Sequence, residues 1–156
     1  MHKLLMDDFY DATYTLFAVH CRLEDYRLAY LLNRHLDLKL KRKPQDLDFN
    51  YFSTYPIYEW DNAQEYMTWN LVSNVCKKEE ASLYSTGVLF GEEDRTIKTY
   101  NLISEFKRVD FFIKISSEAK AVNEKLILNK LQAIPQIITS YEVDLASIKH
   151  KEYLIF

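Results

Sequence analysis

The last third of the chain contains a strand, a helix and a strand in close succession, and this unit constrains the fold more than any other segment. A β-favouring run over Val109 to Ile115 leads into Ser116-Ser117-Glu118, and serine followed by an acidic residue is typical of a helix start. The apolar spacing predicts a helix over Glu118 to Ala133, ended by Pro135, and a further strand over Ile137 to Val143. Connections this short predict a β-α-β unit within an α+β sandwich.

A strand and a helix near the start of the chain predict a second unit of the same kind. Tyr14 to His20 is apolar and β-favouring, and Glu24 to Leu38 gathers its apolar side chains on one arc of a helix, with His35 half-buried on that arc. The sequence therefore predicts a single α+β domain over residues 1–156, with an antiparallel sheet and split β-α-β elements of the ferredoxin-like kind. Residues 1–12 are predicted to form an acidic, mobile N-terminus.

The aromatic-rich middle of the chain adds hairpins to this plan. Runs over Phe49 to Trp60 and Tyr66 to Lys77 predict one long β-hairpin, and runs over Gly87 to Phe90 and Thr96 to Ile103 predict a second. The last residues, Tyr153 to Phe156, are apolar, and we expect them either to dock as a strand or to stay exposed as an adhesive end. The predicted architecture is a sheet with an enlarged, aromatic-rich hairpin region.

Four aromatic residues of the first hairpin are candidate binding residues: Tyr58, Trp60, Tyr66 and Trp69. Tyrosine and tryptophan offer large, stiff, amphipathic surfaces, which are favoured at interfaces and in ligand pockets. A sheet core rich in aromatic side chains explains the same residues, and we consider this the stronger interpretation. The sequence therefore leaves open whether the aromatic hairpin is core or binding surface.

Composition excludes several classes of function. The only glycines are Gly87 and Gly91, so neither a three-glycine dinucleotide fingerprint nor a P-loop can be built. The formal net charge of −3 gives no basic excess for nucleic acid, and no apolar run reaches the roughly 20 residues that span a bilayer. The histidines share no metal-ligand spacing, so we predict no metal and no cofactor. Cys21 and Cys76 are expected to be buried free thiols in a cytoplasmic protein.

The run from Ile103 to Phe111 is the most distinctive motif in the chain. It places Glu105 in a turn and Asp110 at the start of a strand, two residues after Lys107-Arg108. Both carboxylates are candidate site residues, because a carboxylate at a strand start can serve as a general acid or base. The interpretation we favour is structural: Glu105 is a solvated turn residue, and Asp110 caps a turn or pairs with Lys114 on the same strand face.

This motif carries a resemblance to a known family. Ile103-Ser104-Glu105, followed after three residues by Val109-Asp110-Phe111, resembles the signature of the IPExxxVDY family. The segment from Cys21 to Leu28, the strand from Ile134-Pro135 to Val143-Asp144 and the Leu154 to Phe156 terminus are similar in kind and order, so the resemblance covers most of the chain. Ser104 and Phe111 stand where the family has proline and tyrosine. The family consists of small single-domain proteins of unknown function, so the resemblance implies one domain and carries over no active site.

Two classes of function remain. In the first, the protein is an interaction or scaffold module that dimerises through its last helix or an edge strand and binds a protein partner with the aromatic hairpin. Self-association is expected because the apolar residues of the last helix spread over much of its circumference and need a second neighbour. In the second, the protein is an ACT-like domain in which paired ferredoxin-like units hold a small molecule at their interface. An enzyme ranks third, with no catalytic residue assigned.

Overall fold

The computed structural model describes residues 14–50, 53–81 and 95–156. Within these ranges the chain forms ten strands, two α-helices and three short 3-10 turns. The strands are β1 (Tyr14–Cys21), β2 (Lys41–Arg42), β3 (Leu47–Asn50), β4 (Ser53–Tyr55), β5 (Ile57–Asn62), β6 (Met67–Ser73), β7 (Val75–Ala81), β8 (Arg95–Asn101), β9 (Phe111–Ser117) and β10 (Ile137–Glu142). The helices are α1 (Asp25–Leu36) and α2 (Glu124–Gln132), and the 3-10 turns span Ser104–Phe106, Leu145–Ser147 and Lys151–Leu154. The predicted mobile segment over residues 1–12 and the predicted strand over Gly87 to Phe90 lie outside the described residues.

Six of the strands form one sheet in the order β10-β1-β9-β6-β5-β2, and every pair of neighbours is antiparallel. β1 lies between β9 and β10, so Phe17 stands opposite Ile113 on one side and Glu142 on the other. β3 pairs with β4, and β7 pairs with β8, in two smaller antiparallel sheets. The predicted α+β class and antiparallel sheet are therefore confirmed.

Both faces of the six-stranded sheet are covered. Side chains alternate between the faces along a strand, and in β1 Phe17 and Val19 pack in the cluster that contains both helices. Leu16 and Ala18 pack on the opposite face, together with residues of the C-terminal segment such as Leu154. The sheet is thus the central layer, with the helices on one side and loops and the chain end on the other.

The C-terminal segment docks as a 3-10 turn over Lys151–Leu154, so the expected strand is wrong, while Ile155 beyond the turn is exposed. Leu154 is fully buried, and its carbonyl accepts a hydrogen bond from the ammonium of Lys114. That ammonium also lies 4.8 Å from the ring centres of Tyr14 and Phe156. Burial lowers the pKa of Lys114. The chain end is therefore held by burial of Leu154 and by the contacts of one half-buried lysine.

Four side chains recur with the helical period along α1 and are buried against the sheet: Leu28, Ala29, Leu32 and Leu36. They span about 100° of the helical wheel, which is a narrower arc than the sequence suggests. His35 falls outside this arc and is exposed, so its expected half-buried position is wrong. The helix ends where Asp37 adopts a left-handed conformation with φ of 60°. α1 therefore leaves its opposite face to solvent.

α2 is shorter than the sequence predicts, and its predicted start at Glu118 is wrong. β9 continues to Ser117, and the helix begins only after Asn123. The side-chain oxygen of Asn123 accepts a hydrogen bond of 3.2 Å from the amide of Leu126, which makes asparagine rather than serine the N-cap. α2 packs against both β10 and α1, so its spread of apolar residues finds a second neighbour inside the chain. Neither α1 nor α2 is long and apolar enough to cross a membrane.

The aromatic middle of the chain divides into more strands than the sequence predicts. β5 and β6 form the expected hairpin, but the strand predicted over Tyr66 to Lys77 breaks at Asn74 into β6 and β7. The strand predicted over Phe49 to Trp60 is likewise interrupted at Pro56, whose carbonyl accepts a hydrogen bond of 3.1 Å from the amide of Ser73. β8 covers most of the predicted Thr96 to Ile103 strand and pairs with β7.

Candidate functional site

Asn74, at the break between β6 and β7, organises the motif that runs from Ile103 to Phe111. Its side chain is fully buried, and its Nδ2 donates hydrogen bonds of 2.8 Å to the carbonyl oxygens of Phe106 and Val109. Its Oδ1 accepts a hydrogen bond of 2.8 Å from the amide of Ile103. One amide side chain thus satisfies three backbone groups of the loop, which would be costly to bury without partners.

Glu105, a candidate site residue, lies in the 3-10 turn of the same motif. Its side chain is exposed, as the favoured structural interpretation of this residue predicts. Ile103 and Val109, on either side of the turn, are buried and fasten the loop to the second face of the sheet. The motif is therefore a folded loop with an exposed tip, and Glu105 is at that tip.

Asp110, the strongest catalytic candidate of the sequence, is used structurally at the end of β1. Its Oδ2 accepts a hydrogen bond of 3.0 Å from the amide of Cys21. Its own amide donates a hydrogen bond of 3.1 Å to the carbonyl of Val19. The expected ion pair with Lys114 is absent, since that ammonium is directed to the carbonyl of Leu154. Asp110 therefore caps the end of a strand.

The Cys21 thiol lies beside this carboxylate and is buried, as expected. Burial raises the pKa of Cys21, and the negative charge of Asp110 acts in the same direction, while a hydrogen bond from the Leu23 amide opposes them. A thiol whose pKa is raised carries little thiolate and is a poor nucleophile. Cys76 is also a free thiol, but it is only half-buried. The Cys21 thiol is thus not an activated nucleophile.

The four candidate aromatic residues occupy different environments. Tyr58 and Trp69 are buried in the core beneath the helices, and Trp60 is partly buried against the same core. Trp60 and Trp69 face each other across β5 and β6. Tyr66 is 62% exposed, in the turn between these strands. Three of the four are therefore core residues, and the hairpin brings only Tyr66 to the surface.

Tyr58 joins β5 to the first turn of α1. Its hydroxyl donates a hydrogen bond of 2.9 Å to Oδ2 of Asp25. Burial, followed by this hydrogen bond to a carboxylate, raises the pKa of Tyr58 to about 12. The phenol consequently stays protonated at physiological pH and acts as a fixed donor that positions the start of α1.

An apolar groove lies on the outer side of α1. Its volume is about 410 Å³, and it is lined by Leu23, Tyr26, Arg27, Tyr30, Leu31 and Gln136; we call it the α1 groove. Tyr26 and Tyr30 are 59% and 61% exposed, whereas Leu23 and Leu31 pack against the core and form the base of the groove. A hydrogen bond to Glu24 raises the pKa of Tyr26. Arg27 is exposed and forms no ion pair with a described residue.

A pair of carboxylates lies where the start of α2 meets the end of β10. Glu124 lies near Glu142, and burial together with the charge of Glu124 raises the pKa of Glu142. No cluster of three or more histidine, cysteine, aspartate or glutamate residues in the described part of the chain is arranged to hold a metal ion. The pair is therefore a local feature of the helix–strand packing.

Sequence reasoning missed Asn74, Tyr26 and Tyr30. The exposure of the two tyrosines could have been predicted, because residues four apart lie on one side of a helix. In α1 that side is opposite the apolar arc. Asn74 gave no such signal, since its hydrogen-bond partner Val109 is 35 residues away in the chain. The role of Asn74 therefore depends on the motif loop, which is distant in the sequence and contacts Asn74 only in the folded chain.

Comparison with known proteins adds no assignment: no family model, curated protein or solved structure matches this chain. Membership in the IPExxxVDY family therefore stays a prediction based on the Ile103 to Phe111 motif. The α1 groove is an apolar concave surface on the described part of the chain, and it is the feature from which a function can be argued.

Proposed function

We propose that the protein is a non-catalytic interaction module that self-associates and binds a protein partner. The observation that carries this proposal is the outward side of α1, where Tyr26 and Tyr30 project over the α1 groove. Tyrosine and arginine are the residue types that contribute most to binding at protein interfaces, and Arg27 lies between the two tyrosines in the sequence. An exposed apolar surface of this kind on a soluble domain marks an interaction site.

Three of the polar side chains described above favour the same proposal, because each is engaged in hydrogen bonds within the fold. Asp110 accepts from the Cys21 amide, Tyr58 donates to Asp25, and Asn74 is saturated by the motif loop. A general acid or base needs a free atom that faces a substrate in a cleft. Binding to a protein partner does not require a free catalytic group and depends on the shape of the surface instead.

The test is native mass spectrometry of the purified full chain across a range of concentrations. A dimer without a bound molecule, whose fraction grows with concentration, is the expected result. A species that stays monomeric at every concentration would contradict self-association. A dimer that carries a small molecule of defined mass would favour the second candidate function instead.

The second candidate is an ACT-like small-molecule-sensing domain, and the strand order favours it. We propose that β10, β1, β9 and β6 form a ferredoxin-like core, in which β9, α2 and β10 make a split β-α-β unit around β1, with β5 and β2 as an extension. Sensors of this architecture hold ligands where two copies meet, although fold alone is a weak argument for function. A rise in melting temperature on addition of an amino acid would support the sensor.

Two further assignments belong to the proposal. We propose membership in the IPExxxVDY family, because the motif that carries the resemblance forms one continuous folded loop around Asn74. We also propose a cytoplasmic location, because Cys21 and Cys76 are free thiols, the usual state in a reducing compartment. A cellular fractionation experiment tests the location directly.

A further inference from the structure

We propose that a second copy of this chain docks on the α1 groove, so that the two α1 helices pack antiparallel about a two-fold axis. This inference rests on the proposed self-association and names the surface responsible for it. It replaces the last helix as the dimerisation element, since α2 already packs against α1 and β10 within one chain.

The outward face of α1 carries two large aromatic side chains. Four exposed residues recur at helical spacing along it, and we call them the outer stripe: Tyr26, Arg27, Tyr30 and Arg34. At about 100° per residue, the outer stripe lies opposite the buried arc of the helix. Leu31 and Leu23, which precedes the helix, are half-buried beside the stripe and pack against the core. The stripe therefore offers two tyrosines and two arginines, which are residue types favoured at protein interfaces.

The outer stripe is complementary to itself when two copies run in opposite directions. With a rise of about 1.5 Å per residue, a two-fold axis midway between Arg27 and Tyr30 places Arg27 level with the partner's Tyr30. This pair can form a cation–π contact, and the symmetry makes the contact twice. The tyrosines of each copy then lie over the α1 groove of the other.

The charges at the ends of α1 favour the antiparallel direction. The exposed Glu24 precedes the helix, and Arg34 is in its basic last turn. In the antiparallel arrangement Glu24 comes within about 1.5 Å of the level of the partner's Arg34 along the axis, so opposite charges meet at both ends. The helix dipoles also oppose each other favourably in this direction. A parallel pair would instead place like charges together.

The two edges of the six-stranded sheet are poorer surfaces for a second copy. β2 has only two residues, Lys41 and Arg42, and a short cationic edge resists pairing with another strand. β10 contains an irregularity at Ile138, because Cys21 pairs with Ile137 while His20 pairs with Thr139. A bulge of this kind disrupts edge-to-edge pairing.

The size of the surface sets the expected strength of the dimer. A helix of 12 residues is about 18 Å long, which is short for a stable interface that buries about 800 Å² per partner. We therefore expect a dimer that dissociates in the micromolar range. Association must accordingly be measured as a function of concentration rather than at a single one.

The first experiment is sedimentation velocity on the full chain and two variants, from the low micromolar to the submillimolar range. Tyr30→Glu should raise the Kd of the dimer at least about tenfold, because it places a charge at the centre of the interface. Ile97→Glu is the matched control, since Ile97 is 65% exposed against 61% for Tyr30 and lies on β8, outside the α1 groove, and it should leave the Kd unchanged. A dimer that survives Tyr30→Glu would overturn the surface while leaving self-association in place. A wild-type monomer throughout would remove both proposals.

The second experiment tests the antiparallel direction by charge reversal. Glu24→Arg and Arg34→Glu should each raise the Kd roughly fivefold, because each places like charges at both ends of the helix pair. The double variant should return to the wild-type Kd, since the opposite charges meet again with their signs exchanged. A double variant as weak as the two single effects combined would contradict the antiparallel arrangement, even if Tyr30→Glu dissociates the dimer.

Discussion

At the residue scale, the buried side chain of Asn74 supplies hydrogen bonds at a point where strand pairing ends. The paired strand β6 ends at Ser73, and the chain continues into a separate hairpin through Asn74. At this junction the backbone amide of Asn74 donates to the carbonyl of Asp110 at 2.9 Å, and its carbonyl accepts from the amide of Leu102 at 3.0 Å. With the three side-chain bonds added, one residue fixes both ends of the motif loop.

We therefore expect Asn74→Ala to lower the free energy of unfolding by about 3–5 kcal/mol, because it leaves three buried backbone groups without partners and opens a small cavity. Urea unfolding monitored by tryptophan fluorescence measures this change. Asn101→Ala is the matched control, since the Asn101 amide donates only longer bonds of 3.2 Å and 3.4 Å, and it should cost about 1 kcal/mol or less. Equal losses in both variants would show that Asn74 is not the organising residue.

Tyr66 illustrates the opposite case, an exposed residue in a costly conformation. Its φ is 54°, in the left-handed region, where a residue with a Cβ is disfavoured by about 1–2 kcal/mol. Because the side chain is largely exposed, we expect Tyr66→Gly to raise the free energy of unfolding by about 0.5–1 kcal/mol after the entropy of glycine is subtracted. Thermal unfolding compares this variant with Tyr66→Ala, which keeps the strain and should gain nothing. A gain in both variants would place the cost in the side chain instead.

At the element scale, the packing of α2 on β10 brings two like charges together. Glu124 is in the first turn of α2, where the helix dipole favours a negative charge, and Glu142 is the last residue of β10. Burial and the neighbouring carboxylate raise the pKa of Glu142 above its ordinary 4.5. The folded chain therefore binds more protons than the unfolded chain between pH 4.5 and that raised pKa.

The free energy of unfolding should accordingly contain a contribution that is greatest below about pH 4.5 and is lost as the pH rises through the raised pKa of Glu142. Glu142→Gln removes this contribution, so the variant should be more stable than wild type at neutral pH and lose that advantage in acid. Urea unfolding at intervals between about pH 4 and pH 7 measures the difference. Glu105→Gln, in the exposed motif turn, should keep the wild-type profile. A constant difference between Glu142→Gln and wild type across this range would refute the assignment.

At the scale of the whole molecule, the parts of the fold that could be predicted are those with local periodicity. The first strand, the first helix and the last strand follow from apolar spacing within their own segments, and the structure has them within two residues of the predicted bounds. The start of α2 could not be placed, because Ser116 and Asn123 both satisfy the local rules for a cap and only sheet pairing decides between them. The break between β6 and β7 at Asn74 could not be predicted either, because it depends on contacts with the motif loop, which is about 30 residues away in the sequence.

The candidate site was also predictable only in part: its composition could be read from the sequence, but its burial could not. The aromatic composition of the central hairpin was visible in the sequence, but the burial of Tyr58 and Trp69 depends on the helices that cover them. The exposure of Tyr26 and Tyr30 depends on α1 having one neighbour layer instead of two. Composition therefore identifies which residues can form an interface, and tertiary packing decides which of them remain available for it.

The final consequence of the architecture concerns the second face of the sheet, which the chain end helps to cover. Leu154 is fully buried in the cluster on that face, whereas its neighbour Ile155 is 57% exposed. We expect Leu154→Ala to lower the free energy of unfolding by about 2–4 kcal/mol and Ile155→Ala to change it by less than about 0.5 kcal/mol. Urea unfolding of the two variants gives both values. If the two substitutions cost the same small amount, the C-terminal segment would not be part of the core, and the sheet would present an apolar face that competes with α1 for a second copy.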